Sequence, residues 1–209
     1  MSQSTINPDD IGNAYDTITH LWQREGFNRN NGIEAHKRAI NFTDNRGNAL
    51  DVGCGCTGRF IDLLQTEGFS VEGVDISTKM IDLARQRHPE VTFHHQDICE
   101  WEIENRYDFI TAWDSIWHIP LEQQKPVLTK LVNSLNTGGI LIFSFGGTTE
   151  PSENIDDFMG PEVYYSSLGT NGFLALLMKL GCLAMHLEYD QYPELHTYLI
   201  VKKLTLSDE

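Results

Sequence analysis

A glycine-rich segment in the first third of the chain has the composition of a ligand-binding loop. Residues 50–58 read Leu-Asp-Val-Gly-Cys-Gly-Cys-Thr-Gly, between a short apolar run and a helical pattern. Glycines let a backbone approach a ligand closely, and a helix N-terminus attracts anions. The spacing of Gly53, Gly55 and Gly58 also satisfies the fingerprint of dinucleotide-binding loops. The loop by itself therefore indicates either a nucleoside-like ligand or an ordinary tight turn between a strand and a helix.

Two acidic residues follow the next two apolar runs. Asp75 ends the run 70–75, and Asp97 comes just after the run 91–95. Open α/β sheets bind ligands at the carboxyl ends of their parallel strands, where a carboxylate can accept hydrogen bonds from ribose hydroxyls. We therefore expect both acids to face the ligand of the glycine-rich loop. The alternative for Asp75 is an ordinary carboxylate at the start of a helix.

A cluster of aromatic and titratable residues supplies the candidates for the chemical step. Residues 113–120 read Trp-Asp-Ser-Ile-Trp-His-Ile-Pro. Aromatic rings give apolar contact and attract cations. His118 is the first candidate for a general base, because an unperturbed imidazole titrates near neutrality, and Asp114 is the second. The alternatives are that Trp113 and Trp117 belong to the core, that His118 packs or caps a helix, and that the reaction needs no base.

The elements that must position these residues alternate along the chain. Helical spacing of apolar residues predicts helices over 11–27, 33–42, 59–67, 78–88, 121–135 and 173–180. Short apolar runs predict strands over 48–52, 70–75, 91–95, 107–113, 140–145, 183–190 and 195–201. The last two strands are joined only by residues 191–194, which is too short for a parallel crossover. The predicted fold is therefore an α/β, single-domain, Rossmann-like doubly wound sheet of seven strands, mostly parallel, with an antiparallel C-terminal hairpin.

The ordered motifs resemble those of class I S-adenosylmethionine-dependent methyltransferases, of the type that acts on small molecules, from about Ala49 to Lys203. Five segments carry the resemblance: Ala-Leu-Asp-Val-Gly-Cys-Gly at 49–55, Val-Asp-Ile-Ser at 74–77, Gln-Asp-Ile at 96–98, Tyr-Asp-Phe-Ile-Thr-Ala at 107–112 and Asn-Thr-Gly-Gly-Ile-Leu at 136–141. The family loop usually reads Gly-x-Gly-x-Gly, whereas this chain has one extra residue before the third glycine. We therefore expect Gly53 and Gly55, rather than Gly58, to contact the cofactor.

The resemblance implies S-adenosylmethionine as the cofactor and gives roles to three acids. Asp51 is the acid two residues before the first glycine, which separates this motif from most nicotinamide-binding loops. Asp75 would hold both ribose hydroxyls, with Ile76 beside the adenine, and Asp97 would bind the adenine amino group. The full set of predicted cofactor-binding residues is Asp51, Gly53, Cys54, Gly55, Asp75, Ile76, Met80, Asp97, Ile98 and Trp113.

Related small-molecule methyltransferases close two lids over the donor. The resemblance therefore implies one methyltransferase domain with an N-terminal helical lid at 1–47, a cofactor-binding core at 48–147, a lid segment at 148–172, and a C-terminal helix and hairpin at 173–209. The predicted substrate-binding residues are aromatic: Tyr15, Trp22, Trp117, Tyr164 and Tyr165. Simple packing is the alternative for these side chains.

The charge balance disfavours polyanionic partners. The 209 residues include 30 acidic and 15 basic side chains, a formal net charge of −15. Nucleic-acid binders usually carry a basic footprint, and an anionic membrane surface would repel this chain. No residue from 131 to 178 is Lys or Arg, and the segment 148–163 is rich in acids. We therefore expect a neutral or cationic small-molecule acceptor, with a merely solvated acidic loop as the alternative.

The cysteine and hydropathy patterns favour a reduced, cytoplasmic compartment. Four cysteines do not make a disulfide framework in a chain of 209 residues. No apolar stretch reaches the roughly 20 residues of a membrane span, and residues 1–10 lack the pattern of a signal peptide. His94-His95 and the pair Cys54 and Cys56 lack the spacing of zinc ligands, so no metal site is predicted.

Three other functions stay open at this point. They are a methyltransferase acting on protein or nucleic acid, a non-catalytic cofactor-binding protein, and a nicotinamide enzyme. The chain has Trp-Asp-Ser-Ile after its fourth strand instead of the Asn/Asp-Pro-Pro-Tyr motif that favours nucleic-acid amino groups. A nicotinamide enzyme would leave Asp51, Asp97 and the C-terminal hairpin unexplained. The sequence decides neither the acceptor atom (O, N, C or S) nor the oligomeric state.

Overall fold

Helices and strands alternate through the computed structural model, which describes residues 7–43 and 45–204. The helices are α1 (Pro8–Ile18), α2 (His20–Gln23), α3 (Ile33–Ile40), α4 (Arg59–Thr66), α5 (Thr78–Arg87), α6 (Leu121–Asn133) and α7 (Thr170–Lys179). The strands are β1 (Asn48–Val52), β2 (Ser70–Asp75), β3 (Thr92–His95), β4 (Tyr107–Ala112), β5 (Leu135–Gly146), β6 (Ser152–Asp156), β7 (Val163–Ser167), β8 (Cys182–Glu188) and β9 (His196–Lys203). A short 3-10 turn covers Ile116–His118.

Seven of these strands form one sheet in the order β3-β2-β1-β4-β5-β9-β8. Strands β1 to β5 run parallel to one another, while β9 runs antiparallel to both β5 and β8. This confirms the predicted Rossmann-like sheet and its antiparallel C-terminal hairpin. The strand order reverses between β1 and β4, and open α/β sheets bind ligands in the crevice at such a point.

Helices cover both faces of the sheet, which explains why its central strands are apolar throughout. All of β4 is buried, as is β1 after its first residue. Leu128 of α6 and Phe173 of α7 pack on one face, and Ala39 of α3, Phe60 of α4 and Ile81 of α5 pack on the other. Parallel strands that are buried on both faces read as continuous apolar runs, so the sequence pattern was informative here.

The structure differs from the predicted elements near the N-terminus and in the second lid segment. The helix predicted over 11–27 is two helices, and α2 ends at Gln23 because Arg24 takes an extended backbone, with ψ 147°. The turn-rich segment 148–172 contains an antiparallel hairpin of β6 and β7. Strand β6 is largely exposed, so it lacks the apolar alternation that predicts a strand.

Buried His36 joins α3 to the sheet. Its Nδ1–H donates to the Gly32 carbonyl oxygen at 2.7 Å, and its Nε2 accepts from the Thr111 hydroxyl at 2.7 Å. Its ring stacks on the Phe60 ring, with 3.8 Å between the centroids. Burial lowers the pKa of His36 to about 3, so the imidazole is neutral in the folded protein.

We expect the stabilising contribution of His36 to fall as the pH falls. The folded state has a pKa of about 3 against an ordinary 6.5 when unfolded, so the unfolded state binds more protons between these values. The difference in unfolding free energy between the wild type and His36→Gln should therefore shrink by about 2 kcal/mol from pH 7 to pH 5. Urea unfolding at both pH values measures this. A difference that stays constant would contradict it, and the exposed His20→Gln variant is the control.

Candidate functional site

A large cavity opens at the carboxyl ends of β1, β2, β3 and β4. Its volume is about 740 Å³. The lining comes from the glycine-rich loop, the ends of β2 and β3, the 113–119 segment, α1, and the hairpin of β6 and β7. It therefore lies at the point where the strand order reverses, and both predicted lid segments contribute to it.

The glycine-rich loop is tied to β2 and leaves open space above one glycine. The backbone N–H groups of Gly53 and Cys54 donate to the Val74 carbonyl oxygen at 2.8 and 3.1 Å. A Cβ at Gly53, where φ is +69°, would lie 2.2 Å from the Cβ of Ser115. A Cβ at Gly55, which lines the cavity, would meet no atom within 4 Å. The loop thus offers bare backbone to a ligand at Gly55.

The third glycine of the loop allows close packing against His88. Gly58 precedes α4 and does not line the cavity, and a Cβ there would lie 2.4 Å from Nε2 of His88. The extra residue of this loop therefore moves the third glycine out of the ligand site.

Asp75 is held rigidly at the end of β2. Its two carboxylate oxygens accept from the N–H groups of Gly55 and Ser77, each at 2.9 Å. Burial raises the pKa of Asp75, and these hydrogen bonds oppose the rise. Ile76 and Met80 line the cavity beside it. The arrangement fits a ligand with hydroxyl groups next to an apolar ring.

The loop after β3 is held by a lysine that sequence reasoning did not identify. Asp97 and Ile98 line the cavity, and Asp97 accepts from the N–H of Cys99 at 2.8 Å. Nζ of Lys130, on α6, donates to the carbonyl oxygens of Ile98, Cys99 and Trp101 at 2.7, 3.0 and 2.8 Å. A lysine 32 residues away on another element gives no sequence signal for this role.

Asp51 and Cys54 differ in where the structure places them. Asp51 is buried behind the loop and does not line the cavity, and burial raises its pKa to about 7. Cys54 does line the cavity, and burial raises the pKa of its thiol, which disfavours the reactive thiolate.

His118 meets the cavity beside a tyrosine hydroxyl. The Tyr15 oxygen lies 2.7 Å from Nε2 of His118, and the Trp117 indole N–H donates to the same nitrogen at 2.9 Å. Nδ1 of His118 lies 2.8 Å from the carbonyl oxygen of Tyr164. Because a carbonyl only accepts, Nδ1 carries the hydrogen, and Nε2 accepts from Tyr15. Burial lowers the pKa of His118 to about 4, so this imidazole is neutral near pH 7.

This geometry changes the role predicted for His118. Its basic nitrogen is covered by Tyr15 and Trp117, and the residue is 7% exposed. A proton from a ligand in the cavity would therefore reach His118 through the Tyr15 hydroxyl.

Four of the five predicted substrate-binding aromatics line the cavity together. Tyr15 contacts Trp22, with 5.3 Å between ring centroids, and Trp117 contacts Tyr165 at 6.2 Å. Tyr164 does not line the cavity. Its hydroxyl donates to Glu153 at 2.7 Å and accepts from the N–H of Leu121 at 3.2 Å, so its role is to hold the hairpin against α6.

Trp113 is mainly a core residue with one edge on the cavity. It is 3% exposed and packs against the rings of His36, Phe60, His196 and Tyr198. One edge of Trp113 lines the cavity, most of its surface lies in the core, and its contact with the cofactor stays a prediction.

Asp114 is fixed by a network in the cavity wall. Its N–H donates to the Ser144 hydroxyl at 2.7 Å, and its carboxylate accepts from Nε2 of His196 at 3.0 Å. Nδ1 of His196 lies 2.5 Å from Asp190. Burial alone would lower the pKa of His196, but the two carboxylates raise it overall. Asp114 is thus paired with a histidine 82 residues later, which the sequence did not reveal.

The cavity is strongly acidic. In the described part of the chain its lining includes five carboxylates and a single Lys or Arg side chain, that of Arg59. The carboxylates are those of Asp75, Asp97, Asp114, Asp156 and Glu194. No group of three His, Cys, Asp or Glu side chains within residues 7–43 and 45–204 is arranged to hold a metal ion. Over the same residues, no helix is both long and apolar enough to span a bilayer.

Comparison with known families agrees with this geometry. A family model described as a methyltransferase domain matches residues 49–139, from β1 to the start of β5. These residues therefore match a methyltransferase domain, and the whole chain shares the fold of solved S-adenosylmethionine-dependent methyltransferases. The matched region includes the glycine-rich loop, Asp75, Asp97 and the 113–120 cluster.

Individual relatives cover different parts of the chain. Phosphoethanolamine N-methyltransferase of Plasmodium falciparum is 29% identical over 139 residues, which are 64% of this chain and 52% of that enzyme. The chain therefore spans about half the length of this curated relative.

Solved structures match nearly the whole chain. An amino pentose methyltransferase from Micromonospora echinaspora, with bound S-adenosylmethionine, has a TM-score of 0.67 and 15% identity, covering 97% of this chain and 99% of that one. The 4+2 cyclase SpnF has a TM-score of 0.73 and 16% identity, covering 98% of this chain and 100% of its own. At these identities the likeness shows the fold alone, and one fold hosts many reactions that depend on the residues of the site.

Lys130→Met should weaken binding of S-adenosylmethionine about tenfold, because three hydrogen bonds from a charged donor hold the loop that carries Asp97 and Ile98. Isothermal titration calorimetry measures the dissociation constant. The exposed Lys125→Met variant on the same helix is the matched control. An unchanged dissociation constant in folded Lys130→Met would show that the loop keeps its shape without this lysine.

Proposed function

We propose that this protein transfers the methyl group of S-adenosylmethionine to the nitrogen of a small-molecule amine that carries no phosphate group. The observation that carries the proposal is the hydrogen bond of 2.7 Å between Tyr15 and His118 in a cavity lined by carboxylates and aromatic rings.

The residues at the sheet edge fit S-adenosylmethionine. The open backbone at Gly55 suits close approach of the ligand, Asp75 suits the ribose hydroxyls, and Asp97 with Ile98 suits the adenine. Bound there, the cofactor would supply an electrophilic methyl group on its sulfonium. With such a donor, the main role of the protein is to hold donor and acceptor together, because positioning provides much of the rate enhancement.

The charges and rings of the cavity favour a cationic acceptor. Burial is the main cause that raises the pKa of Tyr15, and the charges of Asp114 and Asp156 add to it, so the hydroxyl stays protonated. Both carboxylates line the same cavity as Tyr15. The rings of Tyr15, Trp117 and Tyr165 can hold an ammonium or a methylated ammonium by cation–π attraction.

Nitrogen as the acceptor atom also agrees with the names of the relatives. One matched relative is named for N-methylation of phosphoethanolamine, and one structural neighbour is an amino pentose methyltransferase. A phosphate on the acceptor is disfavoured here, because the cavity has one arginine against five carboxylates among the described residues. No Lys or Arg lies between residues 131 and 178 to add a phosphate contact.

The Tyr15–His118 pair provides a path for the proton that an ammonium acceptor must lose. The Tyr15 oxygen takes a proton from the acceptor nitrogen while its own hydroxyl proton passes to Nε2 of His118. The nitrogen would then be neutral, with its lone pair free to displace the methyl group from the sulfonium that the bound cofactor would supply. His118 ends with a hydrogen on each ring nitrogen, and the carbonyl oxygen of Tyr164 accepts from Nδ1.

Tyr15→Phe should lower kcat for phosphate-free amines by about 10²- to 10⁴-fold, the usual contribution of general acid–base catalysis. The dissociation constant of S-adenosylmethionine should stay within about twofold, since binding is not the role assigned to this hydroxyl. Activity should recover as the pH rises above the pKa of the acceptor, because a neutral amine needs no relay. Transfer of isotope-labelled methyl groups to an amine panel measures these values.

The exposed Tyr192→Phe variant is the control for the loss of a tyrosine hydroxyl. If the wild type methylates no amine in the panel, or if Tyr15→Phe keeps its full kcat at low pH, the proposed function is wrong.

A further inference from the structure

We propose that Arg59 binds the carboxylate of the methionine part of S-adenosylmethionine. This inference rests on the cofactor of the proposed function and is independent of the acceptor. It adds a cofactor contact outside the motifs that carry the family resemblance.

Arg59 is oriented by its neighbours before any ligand binds. It is the first residue of α4, and its side chain is 10% exposed. Its Nε–H donates to the Asn31 carbonyl oxygen at 3.1 Å, and one terminal nitrogen donates to the Thr57 hydroxyl at 3.4 Å. The guanidinium also lies over the rings of Phe27 and Phe60, 5.5 and 4.4 Å from their centroids. The side chain is therefore preorganised at the cavity wall.

The guanidinium keeps donors for an anion. It carries five N–H groups, and the contacts with Asn31 and Thr57 use two of them. Its nearest carboxylate among the described residues, Asp114, forms an ion pair with it at 3.9 Å, but that distance is too long for a hydrogen bond, and Asp114 accepts from His196. A planar guanidinium with free donors can bind a carboxylate through two parallel hydrogen bonds.

Charge matching selects which group Arg59 would bind. At neutral pH the cofactor has one anionic group, its carboxylate, while its ammonium and sulfonium are cations. Arg59 is the single Lys or Arg lining the cavity within the described residues, and five carboxylates share that lining. A cationic acceptor would be repelled by the positive charge of Arg59. Thr57, which accepts from Arg59, belongs to the glycine-rich loop that would lie along the cofactor.

The test compares S-adenosylmethionine with its decarboxylated form, which keeps the adenosine, the sulfonium and the ammonium. Calorimetry on the wild type should give a dissociation constant about 10- to 100-fold lower for the complete cofactor. In Arg59→Met this preference should disappear, with the dissociation constant of the decarboxylated ligand unchanged within about twofold. Arg59→Lys should keep part of the preference, since it retains the charge and loses the planar fork.

Arg29→Met is the matched control, because Arg29 is an exposed neighbour that pairs with Asp62 at 3.1 Å and does not line the cavity. Equal affinity of the wild type for both ligands would overturn the inference, even if Arg59→Met fails to fold. If folded Arg59→Met bound both ligands more weakly by the same factor, the inference would also be overturned, because Arg59 would then only support the loop. If the wild type binds neither ligand, the cofactor assignment itself fails along with the inference.

Discussion

The parallel register of β1 with its two neighbours is the constraint on which the rest of the site depends. Val52 pairs with Val74 of β2, and Asp51 pairs with Thr111 of β4. This register brings three strand ends to one edge, where the Val74 carbonyl oxygen accepts from the N–H groups of Gly53 and Cys54. The loop backbone, Asp75 and the 113–120 segment then surround one cavity. A shift of one residue would turn these side chains to opposite faces of the sheet.

The N-terminal helix completes the cavity because it is docked on the core. Asp16 of α1 accepts from the Ser77 hydroxyl at 2.5 Å and from the N–H of Lys79 at 3.0 Å, both at the start of α5. This contact ties α1 to the helix that follows Asp75, and it brings Tyr15 within 2.7 Å of His118. The same helix therefore contacts both the start of α5, next to Asp75, and His118. The division of the chain into core and lid segments stays a prediction.

The sequence was most informative where the chemistry is local. The sheet and the glycine-rich loop follow from apolar runs, glycine spacing and strand-end acids, because each signal lies within a few consecutive residues. Side-chain pairs between distant segments, such as Tyr15 with His118 or Asp114 with His196, arise only from packing, so they left no pattern to find. The hairpin of β6 and β7 was missed since its exposed first strand has no apolar alternation.

The proposed methylation of nitrogen is tested most sharply with one acceptor that offers both nitrogen and oxygen. A simple amino alcohol is incubated with the protein and S-adenosylmethionine carrying a ¹³C-labelled methyl group, and the product is examined by NMR. We expect a ¹³C signal of an N-methyl group, with much weaker turnover of the same compound after phosphorylation of its hydroxyl. An O-methyl product, or preferred turnover of the phosphorylated compound, would contradict it.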